Sequence, residues 1–268
     1  MPRSPRRKAP APVSRISGVQ QYTKLENRLV LLAWLNSLLG YESNRALLED
    51  TQRTEEGFGP DERSYLYHHL IARGSQVQIP ADDLAHYDEN IRQHLEKINR
   101  GRTDTERITL RYFQYLAALY TEIFLDRLFN HRAQLLADLN AFVHDRNARR
   151  LPGEPLDDPF TEADLTKLAY WMATGSGKTL LLHLNYYQYL HYCTGESASR
   201  PPLDNILLIT PNEGLSEQHL AELAASGIPA RRFDLNAGNL WSGGQNVCQV
   251  IEITKLVEEK RGGGASVP

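Results

Sequence analysis

The chain has 268 residues, of which 41% are hydrophobic and 24% charged, and its formal net charge is −3. This length suffices for one large or two smaller globular cores, and the charge balance excludes a globally basic nucleic-acid-binding protein. Two cysteines far apart in the chain exclude a disulfide scaffold and a four-cysteine zinc site, and no apolar run is long enough to span a membrane. We therefore expect a cytoplasmic protein with reduced thiols and no membrane partner.

The first part of the chain divides into a basic tail and a helical domain. Residues 1–20 contain arginines and prolines but no acidic residue, which is typical of a disordered tail. From 21 to 148, apolar residues recur in steps of three and four, and this spacing predicts an α-helical domain. The predicted helices comprise one with Leu25, Leu29, Leu32, Leu35 and Leu39 on one face, then Ala81–Asn99 and Asp104–Phe129, with breaks at Gly40, Gly57 and Gly59.

Three histidines of this helical region could be considered as metal ligands. They are His68, His69 and His94, and no third ligand lies at a diagnostic spacing from any pair of them. We interpret them as surface residues or as core residues with satisfied hydrogen bonds.

A linker is predicted over 149–160, where three prolines and a glycine occur without apolar periodicity. After it, short apolar runs alternate with helical patterns, as in a parallel sheet with crossover helices. The predicted strands are Leu168–Met172, Asn205–Thr210, Ala230–Phe233 and Val247–Ile253. The predicted helices are Lys178–Tyr192, Gly214–Ala225 and a short one after Thr254.

A glycine-rich loop lies between the predicted strand Leu168–Met172 and the predicted helix Lys178–Tyr192. Its sequence is Ala173-Thr174-Gly175-Ser176-Gly177-Lys178-Thr179. The glycines allow backbone N–H groups to approach a phosphate closely, and the following helix adds a partial positive charge at its N-terminus. The Lys178 ammonium is expected to reach the β and γ phosphates of ATP, and the Thr179 hydroxyl to bind Mg²⁺.

The loop with its preceding residue, Met-Ala-Thr-Gly-Ser-Gly-Lys-Thr, resembles motif I of superfamily 2 helicases, and specifically of the helicase subunits of type III restriction enzymes. Met172 departs from the strict pattern, which has a glycine at that position. The resemblance implies an ATP-binding domain with a RecA-like fold, ATP hydrolysis and movement along DNA, double-stranded DNA being favoured over RNA. It covers about 165–256 and leaves the helical domain unassigned.

A second segment supports the same resemblance. The strand that ends at Thr210 is followed by Pro211 and Asn212, and the next helix opens with Leu-Ser-x-Gln, which resembles motif Ia of that group. In the family this motif contacts the nucleic-acid backbone, which implies contacts from Thr210, Pro211, Asn212 and Ser216. Short polar donors at a helix N-terminus are physically suited to a phosphate.

Two features of the family are missing from the sequence. No acidic Asp-Glu pair follows a strand after Lys178, and no glutamine occurs between Gln134 and Gln188, the region where such proteins often carry one that reads adenine. We expect 161–268 to be the N-terminal part of the RecA-like domain, truncated before motif II. Its partners would be the remaining helicase or nuclease portion, or a methyltransferase subunit of a restriction or phage-defence system.

Two other functions are compatible with the motifs. The chain could be a nucleotide-binding regulatory or docking subunit that does not hydrolyse ATP and uses its helical domain to hold a partner. A P-loop kinase is the weaker alternative, because the sequence shows no substrate lid and no second catalytic acid.

Overall fold

The computed structural model describes residues 28–194, 205–233 and 246–258. In these ranges the chain is a helix-rich α/β protein with a small parallel sheet of three strands. The helices are α1 (Val30–Leu38), α2 (Asn44–Thr51), α3 (Tyr65–Ala72), α4 (Ala81–Asn99), α5 (Tyr112–Asn130), α6 (Arg132–Ala148), α7 (Lys178–Cys193), α8 (Glu213–Ala225) and α9 (Ile253–Glu258). The strands are β1 (Ile206–Thr210), β2 (Ala230–Arg232) and β3 (Cys248–Glu252).

Local sequence explains where several helices begin. The Ser43 and Ser64 hydroxyls accept hydrogen bonds from the first turns of α2 and α3, at 3.1 and 2.9 Å. Asp82 and Asp83 lie in the first turn of α4, where negative charge stabilises a helix N-terminus. The predicted bounds of α4 are confirmed, as are the predicted helix after the glycine-rich loop and the three strands from Ile206 onward, within two residues.

Two hydrophobic cores hold the described structure together. The larger core joins α1 to α6, and it continues past the predicted linker to include Leu165, Leu181, Leu184 and Tyr192. The smaller core joins the sheet to α8 and to one face of α7. Helix α7 therefore lies between the two cores, although it belongs in sequence to the predicted α/β region.

The sheet is entirely parallel, with the strand order β1-β3-β2. Ile206 and Ala230 both pair with Cys248, on either side of β3. All five residues of β3 are buried, whereas Leu207 and Ile209 of β1 are about half exposed, at 52% and 53%. The described residues thus cover one face of β1 and leave its other face open.

The predicted strand Leu168–Met172 is wrong: these residues have no strand partner in the described part of the chain. The segment instead crosses the surface of the helical core, where the Tyr170 hydroxyl shares a 2.6 Å hydrogen bond with Thr121 of α5. Trp171 is 82% exposed. A strand needs ladder hydrogen bonds from a neighbour, and apolar composition alone does not supply that neighbour.

The predicted helix Asp104–Phe129 is also corrected, because α5 begins only at Tyr112. Thr103 and Glu106 close a single 3-10 turn as a capping box. The Asn99 side chain then binds both the N–H and the C=O of Ile108, at 2.8 and 2.9 Å. These hydrogen bonds hold the backbone in an extended path before the helix starts.

Several predictions fall on residues that the structure does not describe. These are the basic tail over 1–20, Leu25 of the first helical face, and the last residues, 259–268, of the predicted RecA-like part.

Candidate nucleotide-binding site

The glycine-rich loop makes a tight turn that leads directly into α7. Gly175 and Gly177 have φ values of +77° and +86°, a region that side-chain-bearing residues rarely adopt. Gly177 is the N-cap of α7, and the first hydrogen bond of the helix runs from the N–H of Leu181 to the Gly177 carbonyl, at 3.1 Å. The N–H groups of the first turn therefore have no partner within the helix and point toward the loop.

Lys178 is exposed, and its ammonium group lies across the loop. Nζ donates hydrogen bonds to the carbonyl oxygens of Ala173 at 2.8 Å and Met172 at 3.2 Å. The Ser176 hydroxyl donates to the same Ala173 carbonyl at 2.6 Å. The positive charge is thus held at the mouth of the turn by neutral acceptors, which a phosphate oxygen can replace with a stronger, charge-assisted partner.

A glutamine of the helical region completes the loop. Gln114 of α5 is buried, and its Nε2 donates a 2.9 Å hydrogen bond to the Ser176 carbonyl. Its Oε1 accepts from the N–H of Arg111 at 3.0 Å, which fixes the orientation of the amide. A Cβ on Gly177 would lie 2.4 Å from this Nε2, so Gly177 is required both by its φ and by the close approach of Gln114.

Sequence reasoning missed Gln114 because it lies 62 residues before its partner Ser176. Helix α6 and the predicted linker lie between Gln114 and the loop, so Gln114 falls outside the stretch between Gln134 and Gln188 that contains no glutamine. No local signal in the sequence distinguished Gln114, because it lies two residues from both Tyr112 and Leu116, a spacing that places it on the opposite side of a helix from them.

Thr179 follows Lys178 in the first turn of α7 and is partly buried. The described residues contain no group of three or more His, Cys, Asp or Glu side chains that could hold a metal ion. A hydroxyl at this position is suited to be one ligand of Mg²⁺, which in nucleotide sites takes its other ligands from phosphate oxygens and water. Thr179, in the first turn of the helix, is thus the residue of the loop that could hold Mg²⁺.

The segment that resembles motif Ia forms a turn at the carboxyl end of β1. Asn212 is the N-cap of α8, and its Oδ1 accepts from the N–H of Leu215 at 3.0 Å. Thr210 and Ser216 are buried, and their hydroxyls share a 2.6 Å hydrogen bond. Pro211 and Asn212 are exposed. Of the four predicted nucleic-acid contacts, the structure thus leaves two side chains accessible and uses the other two to shape the turn.

An ion-pair network that the sequence did not reveal lies at the same edge of the sheet. Arg232 at the end of β2 donates to Glu217 of α8 and, at 3.2 Å, to Glu252 at the end of β3. Lys255 of α9 contacts the same Glu252 oxygen at 3.2 Å. The carboxyl ends of parallel strands converge at one edge, and this convergence explains how residues distant in sequence meet there.

Comparisons with known protein families, with curated proteins and with solved structures found no match to this chain. Across the described ranges, every helix is too short or too polar to cross a membrane.

Proposed function

We propose that this chain is the ATP-binding part of an ATP-dependent DNA helicase or translocase of the restriction or phage-defence type. The observation that carries the proposal is the turn formed by Gly175 and Gly177, with Lys178 as the first residue of α7. Free N–H groups, a helix N-terminus and an exposed ammonium group together form a site for a polyphosphate. The RecA-like fold and the action on DNA rest on the resemblance of the two motifs.

In the proposed mechanism the loop N–H groups hold the β phosphate, and Lys178 moves from the carbonyls of Met172 and Ala173 to the β and γ oxygens. Thr179 would hold Mg²⁺ through its hydroxyl, and the metal would supply positive charge to offset the charge on the departing terminal phosphoryl group. Hydrolysis also requires an acidic residue that orients the attacking water. The sequence shows no acidic Asp-Glu pair at the end of a strand after Lys178, so we expect ATP binding with little ATP hydrolysis.

The test is a titration of a fluorescent ATP analogue with Mg²⁺ against the wild-type chain and Lys178→Ala, with phosphate release measured in parallel. The matched control is Lys167→Ala, which removes an exposed lysine that precedes the loop. We expect binding to weaken at least tenfold in Lys178→Ala and to be unchanged in the control. Equal binding by all three proteins would exclude the loop as the nucleotide site.

A non-hydrolysing regulatory or docking subunit is the second candidate function. It is favoured by the contacts that α5 makes with both flanks of the loop, through Gln114 to Ser176 and Thr121 to Tyr170. Through these contacts the helical region is positioned to sense nucleotide. Nucleotide binding by a chain that shows no measurable affinity for double-stranded DNA would favour this second function.

A further inference from the structure

A buried carboxylate lies where α4, α5 and α7 meet, away from the loop itself. Glu122 of α5 has no exposed surface and accepts three hydrogen bonds. Gln188 and Tyr192 of α7 donate at 2.8 and 2.7 Å, and Asn90 of α4 donates at 3.1 Å. Three donors around one carboxyl group match the ionised form, which accepts hydrogen bonds but cannot donate one.

No arginine or lysine in the described ranges pairs with this carboxylate. The basic side chain within 4 Å of it there is His94 of α4, whose Nε2 lies 3.8 Å from Oε1 of Glu122. His94 is 1% exposed, and neither ring nitrogen has a hydrogen-bond partner. Burial lowers the pKa of His94 to about 3, with Lys97 and His191 acting in the same direction, so the imidazole is neutral at neutral pH. The expectation that His94 is a satisfied core residue is therefore wrong.

The hydrogen bonds of Glu122 connect it to the helix that begins at Lys178. Gln188 donates to Glu122 and also to the backbone carbonyl of Ala118, at 2.9 Å. Gln114, Ala118 and Glu122 are spaced by four residues, so they follow one face of α5. That face contacts the loop at one end and the second half of α7 at the other, which fixes both the turn that precedes α7 and the far end of the helix.

We propose that Glu122 is a positioning residue for the nucleotide site, because its buried carboxylate holds α7 and thereby sets the position of Lys178 relative to Gln114. This inference rests on the proposed function. The distance from Lys178 to Gln188 is ten residues, or about 15 Å of helix, over which a helix transmits a displacement as a rigid element.

The proposal gives the site a pH dependence. Burial raises the pKa of Glu122 to about 7, against the hydrogen bonds from Tyr192, Gln188 and Asn90, which lower it. The ionisable groups that face this carboxyl are His94 from α4, Tyr192 from α7 and Asp126 on α5 itself, while Lys97 and His191 act on His94. Protonation of Glu122 neutralises the acceptor of all three hydrogen bonds, and this weakens the two that come from Gln188 and Tyr192 of α7.

The experiment compares the wild-type chain with Glu122→Gln, which keeps the shape of the side chain and removes its charge. The matched control is Asp88→Asn, the amide form of another fully buried carboxylate, whose hydrogen bonds go to Ser64 and Tyr115 and not to α7. Dissociation constants of the fluorescent ATP analogue with Mg²⁺ are measured from pH 6 to pH 8.5. The dissociation constant of each variant is divided by that of wild type at the same pH, so the titration of the ligand cancels.

We expect Glu122→Gln to bind the ATP analogue about fivefold more weakly than wild type at pH 8. At pH 6 the ratio of the two dissociation constants should be near one. Asp88→Asn should give a ratio that does not change with pH. A pH-independent ratio for Glu122→Gln would overturn the proposal, since a purely structural defect has that signature.

Hydrogen exchange distinguishes failure of this inference from failure of the proposed function. If the wild-type chain does not bind the nucleotide, the proposed function fails. The role of Glu122 in holding α7 is then tested separately, by measuring the hydrogen exchange of α7 amides at pH 8. Faster exchange in 184–193 of Glu122→Gln, with wild-type rates in Asp88→Asn, would support Glu122 as the residue that holds α7. Equal rates in both variants and wild type would refute it.

Discussion

The two motifs that resemble one family lie on different cores in this structure. The glycine-rich loop and α7 are supported by the large helical core, in which Leu181 and Leu184 are fully buried. The turn after β1 is supported by the small core of three strands, α8 and one face of α7, and its neighbours Leu207 and Ile209 are half exposed. The comparison shows that adjacency in sequence did not decide which core holds each motif. The nucleotide site should therefore respond to changes in the helical region more than to changes in the sheet.

The largest effect is expected for truncation of α7 inside the helical core. Leu184→Ala should lower the free energy of unfolding by about 2–5 kcal/mol, because it leaves a cavity at a fully buried site. It should also weaken nucleotide binding, since Leu184 lies on the helix that carries Lys178. The measurement is denaturant unfolding together with the ATP titration.

The control for that change is Leu223→Ala in the small core, where the side chain is also fully buried. It should destabilise the sheet region while nucleotide binding stays near wild type in the folded protein. Equal losses of binding in the two variants would contradict the separation of the two cores.

The next effect is expected at the loop, from Gly177→Ala. The added Cβ meets Gln114 Nε2 at 2.4 Å, and the φ of +86° strains any side-chain-bearing residue. We expect a loss of about 2–3 kcal/mol in stability and at least tenfold weaker nucleotide binding. Thermal unfolding and the ATP titration measure the two quantities.

Gly153→Ala provides the matched control, because Gly153 has a φ of +92° and nothing within 4 Å of the added Cβ. It carries the same backbone strain in the linker without the contact to Gln114. If Gly153→Ala reduced nucleotide binding as much as Gly177→Ala, the contact with Gln114 would have no specific role.

A smaller effect concerns the pH dependence of stability in the helical core. The pKa of Glu122 rises to about 7 from 4.5, so its contribution is present below pH 4.5 and is lost as the pH rises through 7. The pKa of His94 falls to about 3 from 6.5, so its contribution is present above pH 6.5 and is lost as the pH falls through 3. Between pH 4.5 and 6.5 the two slopes have opposite signs and offset each other.

Glu122→Gln should remove the part of the pH dependence of stability that comes from Glu122. The amide does not titrate, so the variant should not show the loss of stability that wild type shows as the pH rises through 7. From pH 6.5 to pH 5 its melting temperature should fall more steeply than that of wild type, since His94 is no longer offset. Parallel pH profiles for the two proteins, measured by differential scanning fluorimetry, would count against this coupling.

The smallest effect is expected at the turn after β1. Asn212→Ala removes the N-cap of α8 and should cost about 1 kcal/mol of stability. Asn212→Asp keeps the cap but places a negative charge where the proposed DNA phosphate would lie. If DNA binds there, the aspartate variant should bind more weakly while its stability stays at wild type, as measured by fluorescence anisotropy and thermal unfolding. Wild-type DNA affinity in Asn212→Asp would remove this turn from the proposed interface.

Much of the local structure could be predicted from the sequence. The loop followed by α7, the helix α4 and the strands β1 to β3 all follow from apolar periodicity and from glycine positions. Helices and tight turns are made of contacts between residues a few positions apart, so a short window of sequence contains the information. The residues of the glycine-rich loop were likewise recognisable, because the proposed phosphate site is built from consecutive residues.

Only the tertiary structure decided what holds that loop in place. Leu168–Met172 has the composition of a strand but no strand partner among the described residues, so it lies on the helical core instead. Gln114 and Glu122 contact Ser176 and Gln188 across more than 60 residues of chain. Such contacts depend on how helices pack against one another, and packing brings together residues whose separation in sequence carries no local pattern. The sequence by itself therefore determined the glycine-rich turn, and the tertiary structure determined the residues that position it.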